Sequence, residues 1–227
     1  MTTIKPVHIT CAICGTESVQ NVLASTNQMG YADLDLRPPP MARYTLEYQI
    51  QECPSCRYCA PDLTKAHENG ALIIQSDEYI ECISDTSAPD LVRRFLSYAH
   101  YMKLHKNFQE AFFANLKASW VCDDKGIAKT GSQCRRKAIE YLLLCKMQGD
   151  LIWKEPGLYE LVLANLYRRT ATFNEGMEIV QAGALKATDP VIKSALEFTG
   201  SLTDRWDTLP YSFGDVVGIQ EENQRQE

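Results

Sequence analysis

The sequence predicts an α+β fold, mostly α, in which a small β module is followed by an antiparallel array of helical hairpins. Three observations carry this. Five of the nine cysteines fall in the first 60 residues, a stretch that also holds a proline run and alternating, strand-like segments. From Ser87 onward the apolar residues recur near every 3.6 positions, the period of a helix buried along one side. Within those helical stretches, small residues repeat at the spacing of stacked helical hairpins. The expected organisation is residues 1–65 as the β module, 66–213 as the helical domain and 214–227 as a polar, disordered tail.

In the first segment, Tyr44, Leu46, Tyr48 and Ile50 alternate with Thr45, Glu47, Gln49 and Gln51. Period two predicts a half-buried strand there, with Pro38-Pro39-Pro40 breaking the chain before it. The stretch 32–36 alternates more weakly. In the second segment, Ser87-Ala-Pro-Asp90 opens a helix bearing Leu91, Phe95, Tyr98, Ala99 and Met102. A helix over 108–120 follows, then others at about 132–148, 157–170, 174–186 and 190–203, joined by short turns that suit antiparallel neighbours. Ala99, Phe108, Ala111 and Ala118 fit a tetratricopeptide-type frame: small residues twelve and then seven apart, with an aromatic three before the middle one. Ala164, Phe173, Gly176 and Gly183 fit it again, with Pro190 near the usual terminating position. The 132–148 helix falls between the two frames as an irregular element.

Composition narrows the classes. With 45% apolar residues in 227, the chain has material for one large or two small cores. No apolar run approaches the roughly 20 residues of a spanning helix, and the start, Met1-Thr-Thr-Ile-Lys-Pro6, has no apolar stretch of signal length. A cytoplasmic chain with no membrane partner is expected. The net charge of -6 repels phosphate backbones. Residues 1–65 hold five basic and six acidic side chains, so no basic arm offsets this and a nucleic-acid partner is not expected.

Nine cysteines cannot all pair within one chain, and closely spaced thiols in a reducing compartment are more often metal ligands than disulfides. Cys11-Ala-Ile-Cys14 and Cys53-Pro-Ser-Cys56 are two Cys-x-x-Cys knuckles. Two residues between thiolates let a tight turn aim both sulfurs at one ion, and two knuckles supply the four soft ligands of tetrahedral zinc. The long gap between them suits a zinc ribbon, whose strands it would contain. Four thiolates leave no open position for a reactive water, so the expected cofactor is one structural zinc. Cys59, three past Cys56, is a fifth thiol: a spare buried group, an extra ligand or a reactive sulfur. His8 and His67 flank the knuckles and are read as surface residues. A thioredoxin-like use of Cys53-Pro-Ser-Cys56 leaves the first pair unexplained.

Several segments together resemble a family. They are Cys11-x-x-Cys14, Asp33-Leu-Asp35-Leu-Arg37-Pro38, Cys53-Pro-Ser-Cys56-Arg57-Tyr58-Cys59-Ala60, the run to Ala118-Ser-Trp120-Val-Cys-Asp-Asp124, and Leu166-Tyr-Arg-Arg169-Thr-x-x-Phe173. They are similar to the bacterial DUF2225 proteins, a family of unknown function. The resemblance covers about residues 8–205. It implies a zinc-binding front module and tetratricopeptide-like helices, and no activity. Arg57 stands where that family usually has glycine.

Other chemistry falls away. Gly126-Ile-Ala-Lys-Thr-Gly131-Ser132-Gln133 has phosphate-loop glycine spacing but lacks the Lys-Ser/Thr that must follow, and it joins two helices. His100 and His105 are five apart, off one helical face. Asp33 with Asp35 is expected on a solvated strand face or in contact with Arg37, and Arg135-Arg136-Lys137 on a solvated helix face. Phe95, Tyr98, Phe108, Phe112 and Trp120 are expected in the core, although repeat arrays also line grooves with such rings. No catalytic constellation is present. The expected function is a non-catalytic zinc-binding scaffold that holds a protein or peptide partner. The alternatives are a nucleic-acid-binding regulator acting through the ribbon and a thiol redox sensor using Cys59.

Overall fold

The structure is a computed structural model that describes residues 1–224, with side chains to 218. It is α+β and mostly helical, with a small antiparallel β module near the N-terminus followed by a helical array. Its contacts divide the chain into two units. One joins Met1–Asn27 to Met41–Leu144; the other joins Gln28–Pro40 to the chain from Cys145 onward. The first unit thus includes the helices up to residue 144, where the sequence suggests a boundary at 65.

The first unit begins with β1 (Thr3–Thr10) and β2 (Glu17–Ser25), an antiparallel hairpin in which Thr10 faces Glu17 and His8 faces Val19. Both strands are largely exposed. β3 (Gln51–Glu52) and β4 (Cys59–Ala60) form a second, minimal hairpin, with Glu52 opposite Cys59.

The strand expected over residues 44–50 is instead a 3₁₀ helix, Ala42–Gln49. Tyr44 is 69% exposed, whereas Thr45, on the face expected to be solvated, is buried. Over so short a stretch, period two and period three share Leu46 and cannot be told apart by apolar spacing. Backbone satisfaction decides. The Tyr44 N–H donates to the Met41 carbonyl (3.3 Å) and the Thr45 hydroxyl to the Ala42 carbonyl (2.8 Å). A strand would have needed a free neighbouring edge for the same groups.

Two short helices absent from the sequence expectation follow: α1 (Gly70–Ile73) and α2 (Asp77–Ser84). Ser76 caps α2 by accepting from the Tyr79 N–H. α3 (Asp90–Leu104) and α4 (Phe108–Asp124) form the first long hairpin. Asn107 caps α4 by accepting from the Glu110 N–H at 3.1 Å. Ala99, Ala111 and Ala118 are all buried, so the first small-residue frame marks a real close approach. α5 (Ala128–Gln148) is a single long helix, beginning four residues before the expected start.

In the second unit, α6 (Leu158–Arg169) and α7 (Phe173–Lys186) form the other hairpin, and α8 (Pro190–Asp204) packs on both. Pro190 opens α8, and Asp189 caps it through the Val191 and Ile192 N–H groups. Ala164, Gly176 and Gly183 are buried at the frame positions. At Gly183 even a methyl group would clash, since a Cβ there would lie 2.7 Å from Glu160 Cβ and 2.9 Å from Leu196 Cδ2. The core gathers Leu34, Leu161, Ile192, Ala195, Leu196 and Val216.

Leu34 belongs to the Gln28–Pro40 strap. There the weak alternation yields an isolated antiparallel bridge, Asp33 to Ser212, rather than a strand. Arg168 of α6 is fully buried in the same unit. Its guanidinium donates to the Asp207 carbonyl (2.7 Å), the Leu209 carbonyl (2.9 Å) and Asn165 Oδ1 (2.7 Å). The tail expected to be disordered from 214 opens as α9 (Phe213–Gln224), with Val216 buried; residues 225–227 lie outside the described residues. No described helix is long and apolar enough to cross a membrane.

Candidate metal centre

The two knuckles are built alike, each as the tip of a hairpin. Residues 11–16 join β1 to β2, and residues 53–58 join β3 to β4. In the first, the Cys11 N–H donates to the Thr16 carbonyl (3.0 Å) and the Gly15 N–H to the Cys11 carbonyl (2.9 Å). In the second, the Cys53 N–H donates to the Tyr58 carbonyl (2.9 Å) and the Arg57 N–H to the Cys53 carbonyl (3.0 Å). Both turns close through a left-handed residue, Gly15 at φ 73° and Arg57 at φ 61°.

The fold brings Cys11, Cys14, Cys53 and Cys56 together, with all four Sγ atoms within 4.8 Å of one another. Cys11 Sγ lies 3.8 Å from Cys56 Sγ, and Cys14 Sγ lies 3.6 Å from Cys53 Sγ. A tetrahedral ion with metal–sulfur bonds of about 2.3 Å needs sulfurs about 3.8 Å apart along each edge. The donor set and its spacing fit such an ion. Cys11 and Cys53 are buried, Cys56 is partly buried and Cys14 is exposed.

Electrostatics distinguishes Cys14 from Cys11 and Cys56. Burial pushes the Cys11 and Cys56 thiols up. The Cys14 thiol is lowered to about 6, first by the Thr16 hydroxyl 3.2 Å away and then by the Thr16 N–H. A cation among the sulfurs would favour the thiolate form of all four.

Two further contacts hold the knuckles in place. The Ala12 N–H donates to the Leu63 carbonyl (2.8 Å), and Gln20 Nε2 donates to the Glu52 carbonyl (3.1 Å). The Glu52 carboxylate lies between two cations, Arg57 Nε at 3.0 Å and Arg94 Nε of α3 at 3.3 Å. Arg57 also donates to the Ile83 carbonyl at 2.9 Å, tying the second knuckle to the end of α2. Thr16, Glu52 and Arg94 were not singled out by the sequence. Only Thr16, two residues past a cysteine, carried a local signal.

Cys59 stands outside the four-sulfur group. It is fully buried, its N–H donates to the Tyr79 hydroxyl (3.0 Å), and that hydroxyl donates to the Arg57 carbonyl (3.1 Å). Burial pushes its thiol up, the environment of an inert sulfur. His8 is exposed on β1, and the His67 ring stacks on His105 with centroids 4.5 Å apart. The remaining candidates separate too. Asp35 and Arg37 are buried rather than solvated, and the Arg37 N–H donates to Asp35 Oδ1 at 3.3 Å. Arg135 is buried and paired with Asp123, while Lys137 pairs with Glu140 outside. Residues 126–131 are the α4–α5 turn and the first turn of α5.

No family model, curated protein or solved structure matches the chain.

Proposed function

We propose that this chain is a non-catalytic zinc protein whose front module is held by one structural ion and whose helical hairpins present a surface to a protein partner. The single observation that carries the metal is the four-sulfur group at tetrahedral edge lengths. Four thiolates would fill the coordination sphere of zinc and leave no position for a substrate or a water. A β module this thin would draw much of its stability from the ion, since structural zinc contributes on the order of 10–16 kcal/mol in apparent terms. The partner-binding role is supported by the two helical hairpins with their small-residue frames. The likeness to DUF2225 proteins belongs to the same proposal and rests on the quoted motifs. Cys59, buried and with its thiol pushed up, gives the redox alternative no support.

Elemental analysis of freshly purified chain tests the metal: about one zinc per chain is expected, falling to background in Cys53→Ser. Iron in place of zinc would change the identity of the ion, and no metal at all would remove the proposal. Cross-linking with mass spectrometry in native lysate tests the partner role. A partner whose cross-links map to the α3–α4 or α6–α7 hairpins supports it, and cross-links confined to nucleic acid would overturn it.

A further inference from the structure

Behind the second knuckle, the first unit contains a cavity of about 560 Å³. Tyr58 comes from the knuckle, Tyr98 and Met102 from α3; all three are buried and give the cavity an aromatic, apolar floor. Its charges are unevenly matched. Asp62 and Lys65, on the segment after β4, pair with each other at 3.1 Å. Glu110, in the first turn of α4, is half-buried and accepts a hydrogen bond from the Tyr98 hydroxyl at 3.2 Å. It forms no ion pair among the described residues. His67 also lines the cavity, and its ring stacks on His105. Lys117, two turns along α4, interacts electrostatically with Glu110 but does not line the cavity, and burial pushes its ammonium pKa down. Burial and the Glu110 charge push the Tyr98 phenol up, so the phenol remains a neutral donor.

A partly desolvated carboxylate held by one phenol, on a wall of aromatic rings, is an incomplete arrangement. It has acceptor capacity left and aromatic side chains beside it. We infer that this cavity receives an arginine or lysine side chain from a peptide segment of a protein partner. A guanidinium or ammonium group would complete the Glu110 ion pair by charge-assisted hydrogen bonds and would lie against the Tyr58 and Tyr98 rings. An acidic side chain would meet the Glu110 carboxylate in the same place and be repelled. The chain's net charge of -6 favours encounter with a basic segment. This inference rests on the interaction role proposed above and names the chemistry of its partner.

The test uses the full, metal-loaded chain, labelled with ¹⁵N, and three capped tripeptides that differ only in a central Arg, Lys or Glu. The Arg and Lys peptides are expected to shift the amides of Ala60, Lys65, Tyr98, Met102 and Glu110, while the Glu peptide leaves them in place. Glu110→Gln keeps the Tyr98 hydrogen bond and the helix, and should weaken the cationic peptides about tenfold. Equal shifts with the Glu peptide, no shifts around Glu110, or unchanged affinity in Glu110→Gln would each overturn the inference. The two proposals fail separately. A cross-linked partner retained by Glu110→Gln leaves the interaction role standing and removes the cavity; peptide binding at Glu110 with no partner found removes the interaction role alone.

Discussion

Gly15 and Arg57 hold the same place in two different turns. Each follows the second cysteine of its knuckle, each has a left-handed backbone (φ 73° and 61°), and each donates its N–H to the carbonyl of the first cysteine. Only one of them is the residue that this backbone favours. A side chain in the left-handed region costs roughly 1–2 kcal/mol. Arg57 offsets that cost through its contacts with Glu52 and the Ile83 carbonyl.

Arg57→Gly sheds the strain and loses the contacts, whereas Arg57→Ala loses the contacts and keeps the strain. The glycine variant should therefore be the more stable of the two by about 1 kcal/mol. Urea denaturation of both proteins, metal-loaded, measures the difference. An alanine variant as stable as the glycine one would show that the turn is not strained.

Cys59 should resist alkylation. Its side chain is buried and its thiol is pushed up, so little thiolate forms at neutral pH. Iodoacetamide at pH 7, read by peptide mass, is expected to leave Cys59 unmodified in the folded protein and to label it in denaturant. Fast labelling of the folded chain would restore a reactive thiol.

Gly183→Ala should destabilise the second unit by about 1–3 kcal/mol, because the added methyl would overlap Glu160 and Leu196 from two neighbouring helices. Gly218→Ala is the control. It lies in a helix with open space around it and should be neutral or slightly stabilising. Thermal melts of both variants give the comparison, and a neutral Gly183→Ala would mean that α6, α7 and α8 are less closely packed than described.

His100 and His105 both have pKa values lowered from 6.5, first by burial. Lys103 lowers the His100 value further and Glu78 opposes it; His67 lowers the His105 value. The folded chain thus binds these protons less readily than the unfolded chain. Their contribution to stability is present above pH 6.5 and is lost as pH falls below it, towards the folded-state values. Acid also acts on other groups, the four-cysteine group among them, so the measurement is the difference between wild type and His105→Asn across pH 5–8. That difference should shift in favour of the variant as pH falls; a flat difference would show that His105 is not desolvated.

Local pattern made some features legible along the chain. The Cys-x-x-Cys spacing marked the two cysteine pairs because a tight turn is a local object. The Ala99-Ala111-Ala118 and Ala164-Gly176-Gly183 frames gave the hairpins because helical period and side-chain size are written in the order of residues. Other features lacked such a signature. The alternation over residues 44–50 pointed to a strand, yet hydrogen bonds within the segment produced a 3₁₀ helix. A contact between the 33–35 stretch and Arg37 is one of two outcomes their spacing suggests, but nothing near them in sequence showed that Asp35 and Arg37 would be buried.

By itself, the sequence determined the α+β class, the long helices, the paired knuckles and the small residues where helices meet. These follow from backbone geometry and side-chain period, which act over a few residues. The tertiary structure alone decided that four sulfurs from two hairpin tips converge. It also decided that Gln28–Pro40 joins the later helices and that Glu110 lies in an aromatic cavity, where the Tyr98 phenol donates to it. Each of these depends on which distant segments share a desolvated space, and burial of that kind is a property of the assembled chain.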